Sequence, residues 1–137
     1  MVPTVEWKNG AVRLLDQSRL PEFVEFLDCL DYRTVADAIR RLKVRGAPAI
    51  GVTAAMGVAL GAQTITASDY ETFAKEVLLI CDHLAATRPT AVNLFWAIER
   101  MKRLLASLRT QPIASVKSAL LKESQAILDE EDRKSVV

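Results

Sequence analysis

Residues 47–62 hold no charged side chain and a single polar one, Thr53; the rest are alanine, glycine, proline, valine, isoleucine, leucine and methionine. Pro48 suits a first helical turn, and the spacing predicts a helix from Pro48 to about Ile65 that is apolar nearly all round. Such a helix has to be buried on most sides. The stretch is too short and too weakly apolar to cross a bilayer. Gly57 and Gly61, four apart, therefore read as close packing between helices and not as a membrane dimerisation face. With 137 residues, half of them apolar and 26% charged, the chain has enough material for about one globular domain and no need of a disulfide or metal staple.

The flanking sequence supplies the other elements. Val5 and Trp7 alternate with Glu6 and Lys8, Asn9-Gly10 follows, and Ala11, Val12, Leu14 and Leu15 come next. Asn-Gly between two short apolar runs predicts a hairpin, because both residues tolerate positive φ. Leu20-Pro21 interrupts the chain, and Phe23 to Leu30 supplies a third strand. Beyond Asp31 the apolar period becomes helical. Thr34 with Asp37 predicts a capped helix start whose apolar face is Val35, Ala38, Ile39 and Leu42. Ser68 with Glu71 predicts another, facing inward with Tyr70, Phe73, Ala74, Val77, Leu78, Cys81 and Leu84. Pro89 is expected to open a helix with Ala91, Leu94, Ile98, Met101 and Leu105 inside. Pro112 opens the last, with Ile113, Val116, Leu120 and Ile127. The expected fold is α+β: a small N-terminal antiparallel sheet over residues 1–30, then about five helices over 31–132, as a single domain spanning 1–137.

Several functions fall away. Lysine and arginine total 18 against 17 acidic residues, a net charge of +1, so nothing draws the whole chain to nucleic acid or an anionic membrane. The N-terminus has Glu6 and Lys8 where a signal peptide needs an apolar core, and a cytoplasmic location is expected. Cys29 and Cys81 stand alone, with no CxxC pair and no adjacent histidine, so no metal is expected; they read as core residues. His83, the single histidine, has no identifiable nucleophile or orienting partner and reads as exposed or capping. The acidic run Asp129–Asp132 reads as a solvated helix end.

Two segments offer chemistry. In Val44-Arg45-Gly46-Ala47-Pro48, the residue before proline is pushed out of the helical region. Arg45 and Gly46 thus form a tight connection aiming free backbone N–H groups outward. A helix start bears about half a positive charge and often holds phosphate. Gly46 would let a ligand approach the backbone, and Arg45 could grip two oxygens. The alternative is an ordinary turn with a solvated arginine. Thr87-Arg88-Pro89-Thr90 repeats the pattern, with Thr87 as a candidate N-cap. Two such bends suggest that two helix starts converge on one anion. Asn93 reads as a buried hydrogen-bonding residue ahead of a ligand contact.

These segments also bear a family resemblance. VRGAPAIGVTAAMGVALG at 44–61 and TRPTAVNLFWAIERM at 87–101, with VEWKNGAVRL at 5–14 and LLDQSRLP at 14–21, resemble the N-terminal region of methylthioribose-1-phosphate isomerases, from about Val5 to about Asp132. Ribose-1,5-bisphosphate isomerases, deoxyribose-phosphate isomerases and the regulatory subunits of translation initiation factor 2B share that fold. The resemblance implies that Arg45, Gly46, Ala47 and Arg88 touch a sugar phosphate. It implies reversible aldose–ketose isomerisation in methionine salvage, without metal or organic cofactor. The isomerases continue into a larger Rossmann-like domain that holds their proposed catalytic cysteine and aspartate, whereas this sequence stops at DEEDRKSVV. Neither Cys29 nor Cys81 takes the catalytic place, so the expectation is a truncated, inactive chain with no catalytic residue of its own. Two alternatives stay open: a non-catalytic regulatory or assembly module like the translation-factor subunits, and an isomerase for another pentose phosphate. A homodimer is among the options for its assembly.

Overall fold

The structure, a computed structural model, describes residues 4–134; the first and last three residues of the expected 1–137 unit lie outside the described residues. Strands β1 (Val5–Lys8), β2 (Ala11–Leu15) and β3 (Phe26–Cys29) form an antiparallel sheet in that order. Lys8 pairs with Ala11. The two residues between them, Asn9 and Gly10, have φ of 53° and 77°, the left-handed pair that a two-residue hairpin with the native twist requires. Val5, Val12, Leu14 and Cys29 turn inward. On the outer face Arg13 sits opposite Asp28 and binds both its oxygens, at 2.8 and 3.1 Å.

Five helices follow: α1 (Tyr32–Arg40), α2 (Ala47–Gln63), α3 (Tyr70–Ala85), α4 (Val92–Ser107) and α5 (Ile113–Lys134). The expected α+β plan is the observed one. Every residue of α2 from Ile50 to Ala62 is buried, and α2 packs against the other four helices and against β1 and β2. Two small residues on its flank lie on this packing line. A Cβ at Gly57 would lie 3.0 Å from Val35 of α1 and 3.2 Å from Leu84 of α3; at Gly61 it would lie 2.7 Å from Ile80 of α3. The GxxxG pattern is thus the contact line with α1 and α3.

Helix boundaries depart from expectation for identifiable reasons. The caps are Asp31 and Asp69, whose carboxylates accept from the N–H groups of Thr34 and Thr72 at 2.8 and 2.9 Å. An ionised cap both satisfies an orphan donor and opposes the helix dipole, so these aspartates prevail over the neighbouring Thr34 and Ser68. Helix α1 stops at Arg40. Leu42 does not continue its buried face; it adopts φ 60° and is exposed. The N–H of Lys43 reaches back to Ala38 O and that of Leu42 to Ile39 O, the paired bonds of a left-handed helix ending. In α3 Ile80 takes the buried place expected of Leu78, which faces solvent.

Helix α4 begins at Val92 and not at Pro89. The Ala91 N–H bonds to Arg88 O at 3.0 Å, closing a four-residue turn with Pro89 in its second position. Proline's fixed φ suits that position as well as it suits a helix start. Thr87 does not cap α4. Its hydroxyl donates to Leu84 O at 2.6 Å and closes α3.

Candidate functional site

The two arginine-bearing bends come together. Arg45, Gly46 and Ala47 from the α1–α2 connection and Arg88 from the α3–α4 connection line one cleft of about 360 Å³, with Leu42, Ile50, Ala91, Val92 and Asn93. Both helix starts, at Gly46–Ala47 and at Ala91–Asn93, therefore open onto the same space. Gly46 has φ 91°, a conformation that any side chain would strain; here the turn itself demands glycine. No aspartate or glutamate lines the cleft. Among the described residues neither the Arg45 nor the Arg88 guanidinium enters an ion pair. Two positive groups and two helix N-termini without an internal counter-charge form an anion-attracting arrangement.

Beside the cleft, at Asn93, two backbones approach closely. A Cβ on Gly51 would meet the Asn93 carbonyl oxygen at 2.9 Å, so α2 and α4 touch there main chain to main chain. Asn93 departs from the buried role expected of it: it is half-buried, and its side chain makes no hydrogen bond among the described residues. Beyond it, a second cleft of about 440 Å³ runs between α2, α4 and the end of α5, past Pro48, Gly51, Trp96 and Arg100. Arg100 is not free to serve a ligand. It donates to Glu123 at 2.7 Å and to both oxygens of Glu130 at 3.0 and 2.6 Å. The acidic run at 129–132 is accordingly more than a solvated end, since Glu130 ties α5 to α4. Val92, Phe95 and Trp96 leave an exposed apolar stripe on the outer side of α4.

A second layer supports the first bend. The Gln17 side-chain oxygen accepts the Arg45 N–H, and the Gln17 N–H donates to Lys43 O at 2.8 Å. Beside it the Asp16 carboxylate, only 3% exposed, accepts from the Ser18 N–H and hydroxyl and from Lys43 Nζ at 3.3 Å. Burial would raise the Asp16 carboxyl, but the hydrogen bonds from Ser18 and Lys43 outweigh it and hold the group below the usual range. Nothing in local periodicity marks these residues; the LLDQSRLP string is the signal that contains them.

The other candidates are structural. Burial pushes the Cys29 thiol up to about 11 and that of Cys81 up to about 12, so both stay protonated and unreactive at neutral pH. His83 is exposed, its ring edge-on to Tyr32. Among the described residues no cluster of His, Cys, Asp or Glu could hold a metal ion, and no helix is long and apolar enough to cross a membrane.

Comparison with known proteins adds to this geometry. Residues 43–136 match the model of the initiation factor 2 subunit family. The methylthioribose-1-phosphate isomerase of Geobacter sulfurreducens is 50% identical over 129 residues, 94% of this chain and 37% of that protein. That of Trichlorobacter lovleyi is 51% identical over 121 residues, 88% of this chain and 35% of that protein. Among solved structures, 5-methylthioribose 1-phosphate isomerase from Pyrococcus horikoshii superposes with a TM-score of 0.91 at 39% identity, covering 95% of this chain and 36% of that one. The delta subunit of translation initiation factor eIF-2B from A. fulgidus superposes with a TM-score of 0.86 at 38% identity, covering 95% and 37%. The chain thus spans a little over a third of the length of these relatives.

Proposed function

Since the chain belongs to the initiation factor 2 subunit family, we propose that it is the substrate-gripping part of a methylthioribose-1-phosphate isomerase, with Arg45, Gly46, Ala47 and Arg88 as its binding groups. What supports this most is the acid-free cleft onto which both arginines and both helix starts open, in a chain half identical to proteins bearing that name. The single-domain organisation belongs to the same proposal.

The reaction would be aldose–ketose isomerisation of a sugar 1-phosphate in methionine salvage. A phosphate on the anomeric carbon locks the ring, so an acid must assist opening before hydrogen passes between C1 and C2. No carboxyl, imidazole or thiol lines the cleft. In this reading the chain holds and orients the anion, and the acid–base groups come from outside these 137 residues. The test is a titration of the 15N-labelled chain with methylthioribose 1-phosphate. Shifts at the Gly46 and Ala47 amides and the Arg88 guanidinium are expected, with no ketose formed. Shifts confined to other surfaces, or turnover by the chain alone, would overturn it.

The likeness to the eIF-2B delta subunit supports a second reading, a non-catalytic assembly module. In that case the same titration would leave the cleft resonances unmoved. An isomerase for another pentose phosphate would bind ribose 1-phosphate as tightly as the methylthio sugar.

A further inference from the structure

We propose that Gln17 is a positioning residue that holds the Arg45–Gly46 bend in the form the cleft needs to take an anion; this rests on the anion-binding reading above. The connection from α1 to α2 has no regular structure between Arg41 and Gly46. It is pinned instead to the turn after β2, at three points. The Gln17 N–H donates to Lys43 O at 2.8 Å, the buried Asp16 carboxylate takes Lys43 Nζ at 3.3 Å, and the Gln17 side-chain oxygen takes the Arg45 N–H. The last bond crosses 28 positions of sequence and reaches the residue whose side chain lines the cleft.

That bond selects which donors face the ligand. The Arg45 N–H points at Gln17, away from use by an anion. The Ile50 N–H is taken by Gly46 O at 3.0 Å, and Pro48 has none. Among the described residues no protein acceptor takes the N–H of Gly46, Ala47 or Ala49. Without Gln17, the Arg45 N–H would become a further unpaired donor and the peptide would be free to rotate. The φ of 91° at Gly46 would then be one of several accessible values. Glycine's freedom permits the bend, and the Gln17 amide singles it out.

The test compares wild type with Gln17→Met, which keeps the length but offers no comparable acceptor, and Gln17→Glu, which keeps an acceptor oxygen. Methylthioribose 1-phosphate is the probe, followed by NMR, with thermal midpoints recorded alongside. In Gln17→Met the Arg45 amide should lose its exchange protection, and binding should weaken about fivefold as the competent bend becomes a minor population. In Gln17→Glu the amide should stay protected, and any weakening should fade with added salt, because it arises from charge. Wild-type binding retained in full by Gln17→Met would overturn the positioning role while leaving the anion site standing, even if the thermal midpoint falls. An unprotected Arg45 amide in the wild type would also overturn it. A wild type that takes up no methylthioribose 1-phosphate would remove both the site and the clamp's purpose. Should Gln17→Met fail to fold, loss of Arg45 protection in Gln17→Glu would be decisive against the proposal.

Discussion

Replacing Gly51 by alanine should move α4 away from α2 and lower stability, whereas the same change at Gly61 should not. At Gly51 the new Cβ would lie 2.9 Å from the Asn93 carbonyl oxygen and 3.4 Å from its carbon. Ordinary contact begins near 3.4 Å, so a main-chain atom of α4 must retreat by about half an ångström. Overpacking of this kind costs about 1–3 kcal/mol. Alanine returns about 1 kcal/mol through helix propensity, which leaves a net loss of about 1 kcal/mol. At Gly61 the closest atom, at 2.7 Å, is Ile80 Cδ1, the far end of a flexible side chain that can swing aside, so cost and propensity should nearly cancel. Urea unfolding of the two variants measures the difference. Gly51→Ala should also shift the Val92 and Asn93 amides, which line the cleft. A Gly51→Ala protein as stable as wild type, or less damaged than Gly61→Ala, would refute the view that main-chain contact sets this seam.

Three further outcomes are expected. Arg88→Ala should weaken binding of methylthioribose 1-phosphate by about 1.5–3 kcal/mol, the range for a hydrogen bond to a charged group, while Arg100→Ala should leave it unchanged; calorimetric titration separates the two. Leu42→Gly should stabilise the chain by about 0.5 kcal/mol, since relief of a left-handed leucine slightly exceeds the added freedom of the unfolded chain, and a loss above about 1 kcal/mol in urea unfolding would contradict it. The Arg100 guanidinium holds the Glu130 carboxyl below its ordinary value of 4.5. That stabilising contribution is present above pH 4.5 and lost as pH falls through the lower, folded value. The last turns of α5 should therefore begin to lose exchange protection, relative to the intrinsic rate, below pH 4.5, and a Glu130 titration at or above the ordinary value would refute the pairing.

Much of the plan was legible in the sequence because its strongest signals are local. Asn9-Gly10 announces the hairpin, and a run of alanine and glycine with no polar face can only be the centre of a bundle. The convergence of Arg45 and Arg88 was also readable, as a repeated arginine ahead of proline. Helix starts were less so, because Asp31 and Asp69 stand within three residues of Thr34 and Ser68 and each is a competent cap. Pro89 serves a turn or a first helical position equally well, and only the Ala91–Arg88 bond decides between them. Leu42 fits a helical period but terminates the helix, and no residue-type signal marks a left-handed leucine. Gln17 and Arg100 were invisible as partners because their contacts span 28, 23 and 30 positions, and pattern within a window of a few turns holds no information on them.

The meeting of Gly51 with the Asn93 carbonyl has an implication for how tightly a small anion could be held. With two helices abutting at their spines, the gap between the two arginine-bearing bends is set before any guest arrives. Capture then asks only that two guanidinium arms fall still, a modest entropic toll; were the seam lined with pliant side chains instead, each encounter would first have to assemble the gap itself.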